Sequence, residues 1–386
     1  MSHSSSSFGR QVHKDGSAGI LPHSLLAAGS AGAGRLIRLL STNWLTVICY
    51  HRVLVPGDLL FQGYKPTISA TRDNFAQQMD FLRMHYNPIS LRDLVAWLDE
   101  GRAMPPRPVI VTFDDGYRDN GSIAWPIMQD RGIPAVIFLA TNHIGTGRPF
   151  IWDLAAYLFS KAAPGTFDLP LIGQAELRAA AERDAATDAW VEAVKRQPGS
   201  KRTDAVHELS VALDVPIPSP NTFEHLYLNW SEVRDLARQG VEFGAHTHTH
   251  PILTSLPQEE ASREIATSVE HLTRHLGAKP LGFAYPNGSV RDYSAAHGGA
   301  VEAEGLPLAF SLEPGPVSLS QVPRRRMAVP RVYVGMQDTM PRFIAKLAGL
   351  ARVSHVVRPP QSTAYPLNRL KVAFEARSQT RGAGCS

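Results

Sequence analysis

The sequence predicts an α/β fold in which parallel strands close into a barrel. Short apolar runs recur along most of the chain, they are continuous rather than alternating, and amphipathic helical segments lie between many of them. Continuous apolar runs mark strands covered on both faces, and strand–helix alternation joins parallel strands through crossovers. At 386 residues and 44% hydrophobic content, the chain can bury such a core as one unit.

Seven runs read as strands: 45–50 (LTVICY), 108–113 (PVIVTF), 134–140 (PAVIFLA), 241–245 (VEFGA), 280–285 (PLGFAY), 306–311 (LPLAFS) and 328–334 (AVPRVYV). Seven strands with helices favour barrel closure over an open sheet. A helix over 72–85 places Phe75, Met79 and Leu82 on one face. In 90–101, Ser90 caps and Gly101 terminates. Over 231–240, Ser231 and Gly240 take the same roles around Val233 and Leu236. The segment 257–276 carries Ile265, Val269 and Leu272, and Gly277 closes it. Residues 160–225 break the rhythm with an Ala- and Glu-rich helical stretch (174–196), a polar break at 197–200, a second helical stretch (203–213) and a proline-rich exit at 216–220. This predicts a helical insertion between two strands, placed near the mouth because connections after strands surround the site of such folds.

The ends differ from the barrel segment at 45–350. Net charge is +4, and beyond 350 six cations (Arg352, Arg358, Arg369, Lys371, Arg377, Arg381) face one acid, Glu375. This is read as a solvated, flexible basic tail over 351–386, with no nucleic-acid partner expected. Residues 1–44 form an N-terminal extension. Within it, 24–41 is interrupted by Arg35, Arg38 and glycines, so it is neither a signal peptide nor a membrane span. It reads as a packing helix or as a short surface-seeking one. Cys49 and Cys385 form no disulfide framework and no metal motif. A cytoplasmic location, with peripheral contact at the inner membrane face, is the expectation; oligomeric state has no signature.

Two segments carry the chemistry. Asp114 and Asp115 end a strand and precede Gly116, where active sites of parallel α/β folds lie. One carboxylate can bind a cation while its neighbour takes a proton; without a cation, two like charges so close raise one pKa. His246, His248 and His250 follow another apolar strand. A helical turn there would bring His246 and His250, four apart, onto one face and send His248 elsewhere. Asp115 with the two histidines is a mixed O,N site suited to Zn²⁺, with Co²⁺ or Ni²⁺ as alternatives. Three protein ligands leave room for a water, whose pKa a cation lowers from about 15.7 towards ~7. Asp114 is then placed to receive its proton. A third strand end, Tyr285-Pro286-Asn287-Gly288, forms a turn whose N–H groups could meet an oxyanion.

Thr112-Phe113-Asp114-Asp115-Gly116, His246 to Pro251, and Tyr285-Pro286-Asn287-Gly288 appear in the order found in the polysaccharide deacetylase family (NodB-homology, carbohydrate esterase family 4). The chain resembles that family over about 45–335, and Tyr50-His51-Arg52-Val53 is similar to its bacterial members. The resemblance implies a deformed (β/α)7 barrel and metal-dependent removal of N-acetyl groups from sugars. It implies Asp114 as base, Asp115, His246 and His250 as metal ligands, and the Asn287 N–H in an oxyanion hole. The chain departs from the family at Asn287, where a tyrosine is usual, at Ala284, and in its acid-bearing motif. Ala284 stands where many members have an arginine that orients the base; Arg331 is the candidate to replace it. The later Leu-x-His motif that supplies the acid is not evident, which leaves His51 and His297 as candidates, the latter expected to be exposed in a helix.

These features predict a metal-dependent N-deacetylase acting on N-acetylhexosamine units of a polysaccharide or its lipid-linked precursor. The alternatives are a non-catalytic sugar-binding barrel, favoured by Ala284 and the missing acid, and a metal phosphohydrolase. The latter would usually need more carboxylate ligands than the sequence offers.

Overall fold

The computed structural model describes residues 42–58, 63–197 and 199–349. The readings for the N-terminal extension up to residue 41, for the basic tail and for Cys385 lie outside them. Seven parallel strands correspond to the seven apolar runs: β1 (Trp44–Tyr50), β2 (Pro108–Phe113), β3 (Ala135–Leu139), β4 (Glu242–Ala245), β5 (Gly282–Ala284), β6 (Leu308–Phe310) and β7 (Val332–Tyr333). Every residue of β2 and β3 is buried, which is why these strands read as unbroken apolar runs.

The sheet order is β6-β5-β4-β3-β2-β1-β7. Ile48 of β1 pairs with Val111 of β2 and with Val332 of β7. The two edges meet because Val329, just before β7, bridges Phe310 of β6 in parallel. Closure therefore rests on a short segment, 329–333, that touches both edges. The last three strands are shorter than the runs that announced them. The chain leaves the ladder at Tyr285 and at Ser311, and β7 keeps two residues of the expected seven. This is a deformed barrel. Short pieces at Asn87–Pro88 and Val317–Ser318 extend the sheet beside β2 and β1.

The helices follow their capping chemistry. In α1 (Arg72–His85), the Thr71 side chain accepts from Asn74 N–H, and Phe75, Met79 and Leu82 face the core. Helix α2 (Leu91–Glu100) starts with a reciprocal Ser90–Asp93 box and ends at Gly101 with φ +70°. A short α3 (Trp125–Gln129) follows β2.

The insertion lies between β3 and β4. It comprises α4 (Ile151–Lys161), a hairpin pairing Thr166–Leu169 with Gly173–Glu176, α5 (Ala180–Val194) and α6 (Gly199–Leu213). The expected helix from 174 is corrected here: residues 174–176 belong to the hairpin. Leu171 and Gly173 adopt left-handed φ to reverse the chain, and Glu182 accepts from the N–H groups of Arg178 and Ala179, so the helix begins at Ala180. The insertion has its own core of Leu158, Phe159, Trp190, Val194, Leu209 and Leu213, continuous with Tyr117, Phe150, Trp152 and Tyr227 on the barrel side.

Three further helices, with one more after β7, complete the shell. Helix α7 (Trp230–Arg238) is capped by Asn229, not Ser231: Asn229 accepts from Ser231 and Glu232 N–H, while Glu232 accepts from Asn229 N–H. The capping pattern simply sits two residues earlier than read. Helix α8 (Gln258–Leu276) ends at Gly277 with φ +76°. Helices α9 (Ala295–Ala303) and α10 (Met340–Leu347) follow β5 and β7. No helix among the described residues is long and apolar enough to cross a membrane.

Gly244 in β4 leaves no room for a side chain. A Cβ there would lie 2.3 Å from the Phe138 ring and 2.8 Å from the Gly282 carbonyl oxygen. Gly244→Ala should destabilise the protein by about 1–3 kcal/mol, read as a lower urea midpoint at unchanged slope. On α5, burial, reinforced by Asp184 and Glu192, raises the Asp188 carboxyl to about 6. Because that exceeds the unfolded value of about 3.9, its contribution to stability is full below about pH 4 and lost as pH rises through about 6. Asp188→Asn should therefore be the more stable protein above pH 6, by on the order of 1 kcal/mol after allowance for solvent screening. Urea midpoints at pH 8 should show this gain, and those at pH 4 should show none.

Candidate active site

The site is built on strand ends. Asp114 N–H still donates to the Tyr50 carbonyl, continuing the β1–β2 ladder. The chain then turns: Asp115 and Gly116 take φ of +77° and +80°. Gly116 is required there twice over, since a Cβ would also meet Leu139 and Ile144 at 2.7 and 2.8 Å. The turn gives the adjacent carboxylates different neighbours.

Asp114 faces Arg331. The guanidinium, fully buried on the segment that closes the barrel, donates from Nη1 to Oδ1 at 2.7 Å and from Nη2 to Oδ2 at 2.8 Å. Arg331 is itself fixed by the Ser311 carbonyl (3.1 Å) and Thr112 Oγ1 (3.3 Å). Cys49 Sγ donates to Asp114 Oδ2 at 3.4 Å. Burial alone would push the Asp114 carboxyl up, but Arg331 outweighs it and holds the group well below the usual carboxylate range.

Asp115 faces the histidines. Its Oδ1 lies 3.4 Å from His250 Nε2 and 3.7 Å from His246 Nε2. The two Nε2 atoms are 3.2 Å apart. His246 Nδ1 sits 2.7 Å from the Ala284 carbonyl, which requires the proton on Nδ1 and leaves the Nε2 lone pair free. Ala284 therefore enters the site through its main chain. The expected helical turn at 246–250 is not formed. Thr247 and His250 take left-handed φ of +64° and +60°, and Thr247 Oγ1 accepts from His250 N–H at 3.0 Å. This loop, rather than i, i+4 helical spacing, brings the two rings together. His248 points away, its Nδ1 2.9 Å from Thr141 Oγ1, while Glu264 accepts from the His248 and Thr249 N–H groups.

A divalent cation fits these residues. One ligand atom from each of Asp115, His246 and His250 lies within 4.8 Å of the others, the one such group among the described residues. Asp115 Oδ1 is buried with no hydrogen-bond partner, and an orphaned buried acceptor requires an explanation. Burial, then the charge of Asp114, pushes Asp115 well above its ordinary pKa, a bias that a cation reverses. Burial lowers His246 and His250, so both imidazoles are neutral, the form that ligates.

The triad and Asp114 open into a cavity of about 940 Å³. Trp152, Glu192 and Lys195 from the insertion form part of its wall, with Tyr333 and Lys346 from the β7–α10 side. His51 lines it with Nε2 3.9 Å from Asp115 Oδ2, and burial lowers its pKa to about 4. Asn287 also lines it, in a left-handed conformation (φ +62°), with its side chain donating to Asp292 and its own N–H unpaired among the described residues. His297 does not line the cavity. Contrary to expectation it is buried in α9, its Nδ1 accepting from Ser294 N–H at 3.1 Å.

Sequence reasoning missed Tyr117, Trp152, Asp153 and Tyr227, a hydrogen-bonded group behind His250. The only signal was an aromatic pair, Phe150 and Trp152, at a helix start after a glycine-rich loop.

Comparison with known proteins gives a consistent picture. Over 112 residues the chain is 32% identical to a poly-beta-1,6-N-acetyl-D-glucosamine N-deacetylase of Staphylococcus epidermidis, covering 27% of this chain and 38% of that protein. Over 102 residues it is 26% identical to the putative polysaccharide deacetylase YxkH of Bacillus subtilis, covering 26% and 33%. The matches thus span little more than a third of these relatives. In fold, the chain is similar to the Streptococcus pyogenes deacetylase PplD, solved with acetate (TM-score 0.52, 14% identity, 79% of this chain and 98% of that one). It is also similar to IcaB from Ammonifex degensii (TM-score 0.50, 20% identity, 79% and 97%). The polysaccharide deacetylase family model matches residues 101–302, just over half of the 386 residues, so the chain belongs to the polysaccharide deacetylase family.

Proposed function

We propose that the protein is a metal-dependent hydrolase that removes N-acetyl groups from N-acetylhexosamine units of a glycan. The observation that carries this reading is the pair of buried carboxylates with divided tasks: Asp114 clamped by Arg331, and Asp115 with an unpartnered oxygen beside two neutral histidines. The Staphylococcus relative's activity on a β-1,6-linked N-acetylglucosamine polymer supports a polymeric substrate of that kind. Whether the polymer or a lipid-linked precursor is used, the reacting acetamide is the same.

Asp115, His246 and His250 would hold the cation, and O,N,N donors make Zn²⁺ the first choice, with Co²⁺ or Ni²⁺ next. When bound, it would supply Lewis-acid polarisation of the acetamide carbonyl and acidify water. Asp114, ionised and held by two hydrogen bonds, takes the proton of the attacking water. Arg331 keeps that carboxylate in a single orientation. The Asn287 N–H donates to the developing oxyanion. His51 passes a proton to the departing amine. With its pKa near 4 the ring is neutral at pH 7, so it acts as a relay: the proton that Asp114 takes from the water passes through His51 to the amine, and Asp114 is left ionised again. The cavity wall from the insertion limits water around the bound sugar.

The non-catalytic reading rested on Ala284 and a missing acid. The pairing of Arg331 with Asp114, and His51 on the cavity wall 3.9 Å from Asp115, support the hydrolase reading. A phosphohydrolase with two metals is disfavoured by the single ligand group among the described residues.

Asp115→Ala, His246→Ala and His250→Ala should each lose the metal and acetate release together. Asp114→Asn should retain the metal, with kcat reduced about 10²–10⁴-fold. Metal analysis alongside acetate release from N-acetylglucosamine oligomers separates the two classes, and full activity in Asp114→Asn would refute its role as base. Arg331→Met removes the group that opposes burial at Asp114, so the Asp114 pKa should rise. The acidic limb of the kcat/KM profile should then move to higher pH, and an unmoved limb would show that Arg331 does not set the ionisation of the base.

A further inference from the structure

His246 and His250 are held in different ways. His246 is oriented by a hydrogen bond from Nδ1 to the Ala284 carbonyl. Metal-ligating histidines ordinarily have such a partner. For His250, among the described residues, the only side-chain hydrogen-bonding neighbour is His246 itself, at Nε2. What surrounds its ring is aromatic. Trp152 meets it edge-to-face at 5.1 Å and 78°, and Phe150 at 5.4 Å and 78°. Phe150 and Trp152 are stacked on each other at 4.4 Å and 6°.

The indole is in turn tied down from behind. Trp152 Nε1 donates to Tyr117 Oη at 2.7 Å, and Tyr117 donates to Asp153 Oδ2 at 2.8 Å. Tyr227 donates to the same Asp153 oxygen at 2.5 Å. Tyr117 and Tyr227 are bridged through their main chains, so both phenols are set by the same pairing. Arg52 lies over the Tyr117 ring at 4.5 Å, but its hydrogen bonds go to Asp119. Asp153 is therefore a buried carboxylate satisfied by two phenols, with no ion-pair partner among the described residues. Burying a carboxylate is costly and an apolar side chain would pack the same space, so packing alone does not account for it.

We propose that Trp152, anchored through Tyr117 to Asp153, is a positioning residue for His250, and that this chain sets the orientation of the imidazole and the affinity of the triad for its metal. The proposal rests on the reading that Asp115, His246 and His250 bind a divalent cation. The direction of the chain matters. Asp153 fixes the rotation of the Tyr117 hydroxyl, which leaves an oxygen lone pair for the indole N–H. The indole then packs against His250, whose ring has no main-chain hydrogen bond among the described residues to orient it. The edge-to-face contact takes the place of the hydrogen bond that His246 donates to the Ala284 carbonyl.

The test uses the full chain, stripped with a chelator and reloaded. Zinc affinity is measured by competition with a chromophoric chelator, and the Co²⁺-loaded protein is examined by visible absorption. Tyr117→Phe deletes one oxygen and breaks the chain; Trp152→Phe keeps a ring but loses the N–H. Each should weaken Zn²⁺ binding about 10-fold or more and shift the Co²⁺ bands, and the double variant should be little worse than either single one. Variants that lower only the thermal midpoint, with zinc affinity and Co²⁺ spectrum unchanged, would overturn the proposal. Should Trp152→Phe fail to fold, Tyr117→Phe alone decides the matter. A parent protein that binds zinc yet releases no acetate would refute the deacetylase reading and leave this one standing, whereas a parent that takes up no divalent metal refutes both.

Discussion

Two carboxylates buried side by side at the end of one strand are the constraint from which the rest of the site follows. Both Asp114 and Asp115 are almost wholly removed from solvent. Neighbouring like charges in a low-dielectric interior cannot both stay ionised without cations. The fold answers each one separately. Arg331 neutralises Asp114 through two hydrogen bonds, and Asp115 is left with an empty oxygen facing two imidazoles. Arg331 holds one carboxylate ionised, and burial with the charge of Asp114 pushes the other toward protonation.

Barrel closure serves this constraint directly. Arg331 sits on the short segment that pairs with β1 on one side and bridges β6 on the other. A longer seventh strand would not change the pairing of the charge, but an open sheet would leave Asp114 without its counter-ion. The same economy shows in backbone strain. Of the seven non-glycine residues with positive φ among those described, Asp115, Thr247, His250 and Asn287 all belong to the site loops. Strain concentrated there is what allows ligands from separate strand ends to converge on one point.

The insertion adds a second layer. Its core is continuous with the aromatic side chains behind His250, so α4 to α6 are not an independent appendage but the body that packs Phe150 and Trp152 against His250. It also contributes Glu192 and Lys195 to the cavity. The same segment thus supplies part of the cavity wall and the aromatic contact to His250.

Much of this was legible in the chain itself. Burial on both faces makes the strands readable as apolar runs, and local capping chemistry marks where α1, α2 and α8 begin or end. Asp114, Asp115, His246 and His250 announce themselves because adjacent carboxylates and a histidine cluster each directly follow an apolar run. The errors were local. The Leu171 reversal hid a hairpin, and Asn229 rather than Ser231 caps α7, because competing turn and cap residues lie within a few positions of each other. What the sequence could not decide is anything that depends on which strand edge meets which. Arg331 is 217 residues from Asp114, and Trp152 is 98 from His250, so neither contact has any local signature. The sequence by itself determined the fold class and put forward the candidate site residues at the strand ends. Only the tertiary structure decided which side chains face each carboxylate, because that assignment is made by barrel closure and by two left-handed loop residues, not by spacing along the chain.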